Sequence, residues 1–175
     1  CASLAAEHGG VYATVGLHPS EIKDESDVGR ILPLLSLPGV VALGEIGLDY
    51  HWDDVPRDVQ KRVFEAQLDI ARSSGKPVVI HSRDCDGDML PVIKRWYKML
   101  PGGIVMHCFS SSAELAKEYV KMGCYISFAG PVTFKNAKRG DAISAVPDEL
   151  LLAETDSPYL TPVPHRGEKN YPAYV

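Results

Sequence analysis

Six apolar, β-branched segments recur along this chain of 175 residues, with helix-patterned stretches between them. They are VYATVGLH (11–18), VVALGEIGLD (40–49), PVVIHSRD (77–84), GIVMHCF (103–109), CYISFAG (124–130) and LLLAETD (150–156). A strand with one wet face alternates polar and apolar residues. These nearly continuous apolar runs instead suit strands covered on both faces, as in a parallel sheet. Between them, residues 57–75 line Val59, Val63, Ala66, Leu68 and Ile70 along one broad helical face that stops at Gly75. Residues 111–123 open on Ser caps, carry Glu114 in the first turn and end at Gly123. Residues 26–36 and 86–99 read as weaker helices, with Asp84 and Asp86 as caps of the second. Strand starts fall about 20 to 37 residues apart, the rhythm of repeated βα units.

A doubly wound dinucleotide sheet would want a Gly-rich turn straight after a strand, and no G-x-G-x-x-G occurs. A (β/α) barrel needs about 250 residues and eight strands. The expectation is therefore an α/β, TIM-type (β/α) barrel, incomplete in this chain with about six βα units, forming a single partial domain over 1–175. The chain opens on CASLAAEHGG rather than Met, as if inside a helix, so it reads as a fragment.

Ionisable residues fall at one address in this pattern. His18 ends the first strand, Glu45 lies in the second, and His81, His107 and Asp156 close the third, fourth and sixth. His51 joins the loop after the second strand. In a (β/α) barrel the carboxyl ends of the strands meet at one mouth, where chemistry is placed. A carboxylate inside an apolar strand costs several kcal/mol unless something positive meets it. A lone strand Glu usually has a salt bridge, and a lone strand His usually bonds backbone. Two imidazoles and two carboxylates (Glu45, His81, His107, Asp156) at one address instead predict a divalent metal site suited to Zn, Mn or Mg.

Other features carry less. DCDGDM (84–89) has its Gly two positions early for a calcium loop and Arg95 at the twelfth position. Ser110–Ser112 form no G-x-S-x-G elbow. Cys108, beside His107, is expected to point away from the pocket into barrel packing. The four cysteines form no C-x-x-C pair and read as reduced thiols, which suggests a cytoplasmic protein. A net charge of −5 argues against coating nucleic acid electrostatically, but not against metal-assisted attack on a phosphate. The basic stretches KNAKR (135–139) and KRW (94–96) read as solvated helix faces. No run of about 18 apolar residues suggests a membrane span.

VGLHP, GEIGLDYH, HSRD, HCFSSS and ETDSPYL, followed by RGEKNYPAYV, stand in the order found in the TatD family of metal-dependent deoxyribonucleases, which this chain resembles throughout. The resemblance implies one or two divalent ions, with Glu45 bridging them, His81 and His107 on one, and Asp156 on the other. Asp156 would also orient or deprotonate the attacking water. His18 resembles a histidine that meets substrate phosphate or water, while Arg83, Arg166 and Asn170 would bind phosphate oxygens. The implied reaction is hydrolysis of phosphodiester bonds in DNA, single-stranded or at ends, with no membrane and no obligate protein partner. The family also begins with a His-x-His strand and continues beyond PAYV, and no H-x-H occurs here.

Two rival readings remain at this point. Related barrels hydrolyse esters or amides, such as an aminoacyl ester. Many of those bridge their metals with a modified Lys at a strand's carboxyl end, whereas Lys76 precedes its strand. A degenerate barrel serving as a binding scaffold is the non-enzymatic alternative.

Overall fold

The computed structural model describes residues 1–137 and 139–175. Its strands are β1 (Ala13–Val15), β2 (Val40–Asp49), β3 (Val78–Arg83), β4 (Ile104–Met106), β5 (Tyr125–Phe128) and β6 (Leu151–Ala153). The sheet takes them in chain order, as expected when each connection is a crossover to the adjacent position. The β1–β2, β2–β3 and β5–β6 ladders are parallel. The fold class is α/β with a TIM-type (β/α) succession. Among the described residues, no helix is long and apolar enough to cross a membrane. The chain divides into two compact units, Cys1–Val105 and Met106–Val175.

In the first unit, α1 (Ala2–Glu7) precedes β1, and a 3₁₀ turn at Glu25–Arg30 leads into the short α2 (Ile31–Leu35). α3 (Arg57–Ser74) and α4 (Asp86–Trp96) follow β2 and β3. Leu43, Ile46 and Leu48 of β2, Val78 and Ile80 of β3, and Phe64 and Leu68 of α3 are fully buried. Each such side chain contributes about 1.5–3 kcal/mol of transfer free energy. α3 ends where expected, with Gly75 in the left-handed region at φ 71° and its N–H on the Ala71 carbonyl. Its inward face differs from the one read from the sequence. Gln60, Val63, Phe64, Gln67, Leu68 and Ala71 are buried, whereas Ala66 is exposed. Two amides occupy core positions because strand-end backbone groups need them, as described below. α4 also departs from expectation: Cys85 is its N-cap and no side chain caps it. Asp84 bonds His51 instead.

In the second unit, α5 (Ala113–Lys121) is capped by the Ser112 hydroxyl, which accepts from Leu115 N–H. Phe109 packs edge-on against Tyr119 and Phe128, with ring centroids 6.2 and 5.9 Å apart. α6 (Gly140–Ser144) begins only after the basic stretch. KNAKR is therefore not a helix face: Lys135–Ala137 lie outside any helix, Arg139 is the N-cap of α6, and Lys138 lies outside the described residues. KRW, by contrast, does sit in the last turn of α4, where Arg95 pairs with Glu65. β4 stops at Met106, so the pleat argument for Cys108 does not apply. Cys108 instead occupies a turn at φ 45°.

Candidate metal centre

In the first unit, the long apolar strand β2 carries Glu45 beside β3, which supplies His81. Glu45 Oε2 lies 3.7 Å from His81 Nδ1, and the Glu45 side chain keeps 35% of its exposure. The strand carboxylate is thus only partly withdrawn from water. His81 Nε2 bonds Asp49 Oδ2 at 2.9 Å, and the Asp49 side chain is only 4% exposed. An ionised carboxylate can only accept, so Nε2 carries the proton in the neutral ring and Nδ1 presents its lone pair.

His18 completes the cluster. Its ring lies 4.3 Å from that of His81, and donor atoms of His18, Glu45 and His81 all fall within 4.8 Å of one another. Burial first, and then the neighbouring His81, hold its pKa below the ordinary histidine value, against the pull of Glu45 and Asp49. His18 Nδ1 accepts from Ser20 N–H at 3.2 Å. In the neutral ring the proton therefore sits on Nε2, so that nitrogen donates rather than ligates, the tautomer opposite to that of His81.

Backbone supports fix these side chains. Gln60, 2% exposed, accepts from Asp49 N–H and donates to Asp49 O, both at 2.8 Å. Gln67, fully buried, does the same for Leu17, at 2.7 and 3.0 Å, one residue before His18. One amide completes backbone pairing at the last residue of β2, and the other does so two residues beyond β1. Gly47 pairs with His81 across the ladder, and a Cβ there would lie 2.0 Å from the His81 carbonyl oxygen. Only glycine lets β2 and β3 approach this closely.

The second unit builds a related arrangement. His107 Nδ1 meets Glu154 Oε2 at 2.6 Å, and its Nε2 lies 3.4 Å from Asp156 Oδ1. Burial raises the Glu154 pKa, but the hydrogen bond and charge of His107 outweigh this and hold it below the usual carboxylate range. Glu154 Oε1 also accepts from Cys108 N–H at 2.7 Å. Asp156 sits at φ 57° and Cys108 at φ 45°, backbone regions that non-glycine residues rarely adopt and that gather at functional sites. Asn170, expected to bind phosphate, is 1% exposed and donates to the carbonyls of Thr155 and Tyr159 at 2.7 and 2.5 Å. It clamps the Asp156 turn, and its amide nitrogen is committed to backbone.

Two further expected residues lie on the surface of their units. Arg83 projects at the end of β3 with its guanidinium 5.8 Å from the centre of the Trp52 ring. Arg166 stacks 3.9 Å over Phe134 and lines a recess with Lys135 and Arg139. Asp49 and Glu154, the partners of the two histidines, are not among the ligands expected from the sequence. The available signals were an acid four residues after Glu45 and another two before Asp156.

The donor chemistry fits a divalent cation. A lone pair on His81 Nδ1 faces a carboxylate oxygen at 3.7 Å, and His107 Nε2 faces another at 3.4 Å. Two acceptors at that range repel unless a cation or proton lies between them. Ligand bonds of about 2.1 Å at tetrahedral or octahedral angles separate donor atoms by about 3.0–3.4 Å, a range that the His107–Asp156 pair meets and the Glu45–His81 pair exceeds slightly.

Similarity to known proteins agrees with this geometry. The family model described as TatD related DNase matches residues 1–175. The chain is 47% identical over 175 residues to the Bacillus subtilis protein named uncharacterized metal-dependent hydrolase YabD, covering 98% of this chain and 68% of that one. It is 43% identical over 173 residues to the Escherichia coli protein named uncharacterized metal-dependent hydrolase YcfH, covering 98% and 65%. The crystal structure of YJJV, a TatD homologue from Escherichia coli, superposes with a TM-score of 0.90 at 33% identity, covering 98% of this chain and 67% of that one. The chain spans about two thirds of the length of these relatives.

Proposed function

Since the chain belongs to the TatD related DNase family, with relatives named as metal-dependent hydrolases, we propose that it hydrolyses phosphodiester bonds in DNA with divalent metal, acting on single strands or from an end. The observation that carries this reading is the repeated pairing of a histidine with two carboxylates, Asp49–His81–Glu45 and Glu154–His107–Asp156. One carboxylate holds the ring proton, and the other faces the remaining nitrogen.

Glu45, His81, His107 and Asp156 are the proposed metal ligands. Divalent ions held by Glu45 and His81 in the first unit and by His107 and Asp156 in the second would supply Lewis-acid charge against phosphate oxygens and make water easier to deprotonate. Asp49 and Glu154 keep each imidazole in its ligating tautomer. His18, with its proton on Nε2, donates to a phosphate oxygen or to water, and Asp156 orients or deprotonates an attacking water. Arg83 and Arg166 meet the negative charge of neighbouring phosphates. An acidic chain needs no basic groove for this chemistry, because the charge is neutralised at the reacting phosphate.

The test is incubation of the protein with end-labelled single-stranded DNA in Mg or Mn, alongside ester and amide substrates. Cleavage of the DNA is expected, and both chelator and Glu45→Ala should abolish it. DNA cleavage that survives both treatments, or turnover of esters alone, would sink the proposal.

A further inference from the structure

Trp52 is 54% exposed in the loop that leaves β2, and neither the core nor the proposed chemistry uses it. The loop beneath it is tied down at several points. Tyr50 N–H donates to the Arg83 carbonyl at 2.9 Å, and Tyr50 Oη donates to Asp88 at 2.7 Å. His51 N–H donates to Asp49 Oδ1 at 3.0 Å, and the His51 ring bonds Asp84 at 3.0 Å. The His51 ring stands edge-on to the indole, with centroids 4.7 Å apart at 89°. The indole is thus presented to solvent from a braced base, although its apolar surface would ordinarily favour burial.

Its surroundings select a type of ligand. Arg83 lies two residues beyond His81 on β3, so both side chains share one face of the strand, about 6.6 Å apart along it. The Arg83 guanidinium is 5.8 Å from the Trp52 ring centre. An exposed π surface with a guanidinium over one face, and a candidate metal cluster one pleat step away, suit a ligand that alternates aromatic rings with anions. Single-stranded nucleic acid has that character.

We propose that Trp52 is a stacking platform for a nucleobase of the substrate strand, with Arg83 holding the phosphate next to that base. The proposal rests on the DNA-hydrolysis reading and adds that the enzyme grips a base adjoining the bond it cuts. Stacking on an aromatic is sequence-tolerant, so the platform confers preference for an unpaired strand rather than for a base sequence.

The test uses the intact protein and two short single-stranded oligodeoxynucleotides, one natural and one with abasic sites flanking the scissile bond. Trp52→Ala should raise KM for the natural strand about 10-fold or more while kcat stays within about threefold, because stacking holds the base equally in the ground state and the transition state. Trp52→Phe should recover most of the loss. On the abasic strand, wild type and Trp52→Ala should be alike. In a Trp96→Phe background, indole emission should fall on adding the natural strand but not the abasic one. Wild-type cleavage with a KM indifferent to Trp52→Ala would overturn the platform and leave the DNA-hydrolysis reading intact. Failure of wild type to cleave either strand would overturn that reading, and the platform with it.

Discussion

Asp49 and Glu154 act on the chemistry through the rings they hold. Replacing Asp49 with Asn puts an amide that can donate against His81 Nε2, which favours the tautomer with its proton on Nδ1. We expect Asp49→Asn to weaken Mn or Zn binding about 10- to 100-fold, measured by titration calorimetry, with Glu154→Gln behaving alike at His107. Unchanged affinity in both would remove the tautomer argument. Sequence spacing places Glu45, His81, His107 and Asp156 at or near the carboxyl ends of strands, and the structure brings Glu45 to His81 in one unit and His107 to Asp156 in the other. Their partners were not legible, because the Asp49–His81 contact spans two strands and 32 residues of chain, and an acid four residues from Glu45 carries no distance to a histidine on another strand. The backbone commitment of Asn170 was hidden for the same reason.

The elements that carry these side chains are held at their ends by α3. Gln60 and Gln67 lie seven residues apart, about 10.5 Å along the helix, and so share a face. One completes backbone pairing at Asp49 and the other at Leu17. Gln67→Leu would leave the Leu17 N–H and C=O without their partner. It should therefore cost about 1–3 kcal/mol in urea unfolding. If removing the amide cost nothing, its role would be filling space. Strand positions were readable because apolar runs mark covered strands, and β2 matches its expected span at Val40–Asp49. The inward face of α3 was misread because hydropathy ranks glutamine as a surface residue. Nothing local in a sequence reports that a strand end elsewhere lacks hydrogen-bond partners.

For the whole molecule, the acidic balance and the proposed substrate together make a quantitative statement. With a net charge of −5 and only Arg83 and Arg166 assigned to phosphates, binding to single-stranded DNA should depend weakly on salt. The slope of log affinity against log salt should be about −1.4, or about −0.7 per neutralised phosphate. Arg83→Gln should reduce that slope by about 0.7 in fluorescence-anisotropy titrations between 50 and 200 mM NaCl. A much steeper slope would reveal a basic surface beyond these two residues. Fold class was legible from the βα rhythm alone, since it needs only the order and character of segments. The Asp156 turn has a different consequence, for the order in which the protein is made. His18, Glu45 and His81 all lie within the first 81 residues, so the segments that carry them leave the ribosome first. Asp156 depends on a clamp from Asn170, fourteen residues later. Its turn is therefore fixed only late in synthesis, long after the segments that carry His18, Glu45 and His81 have been made.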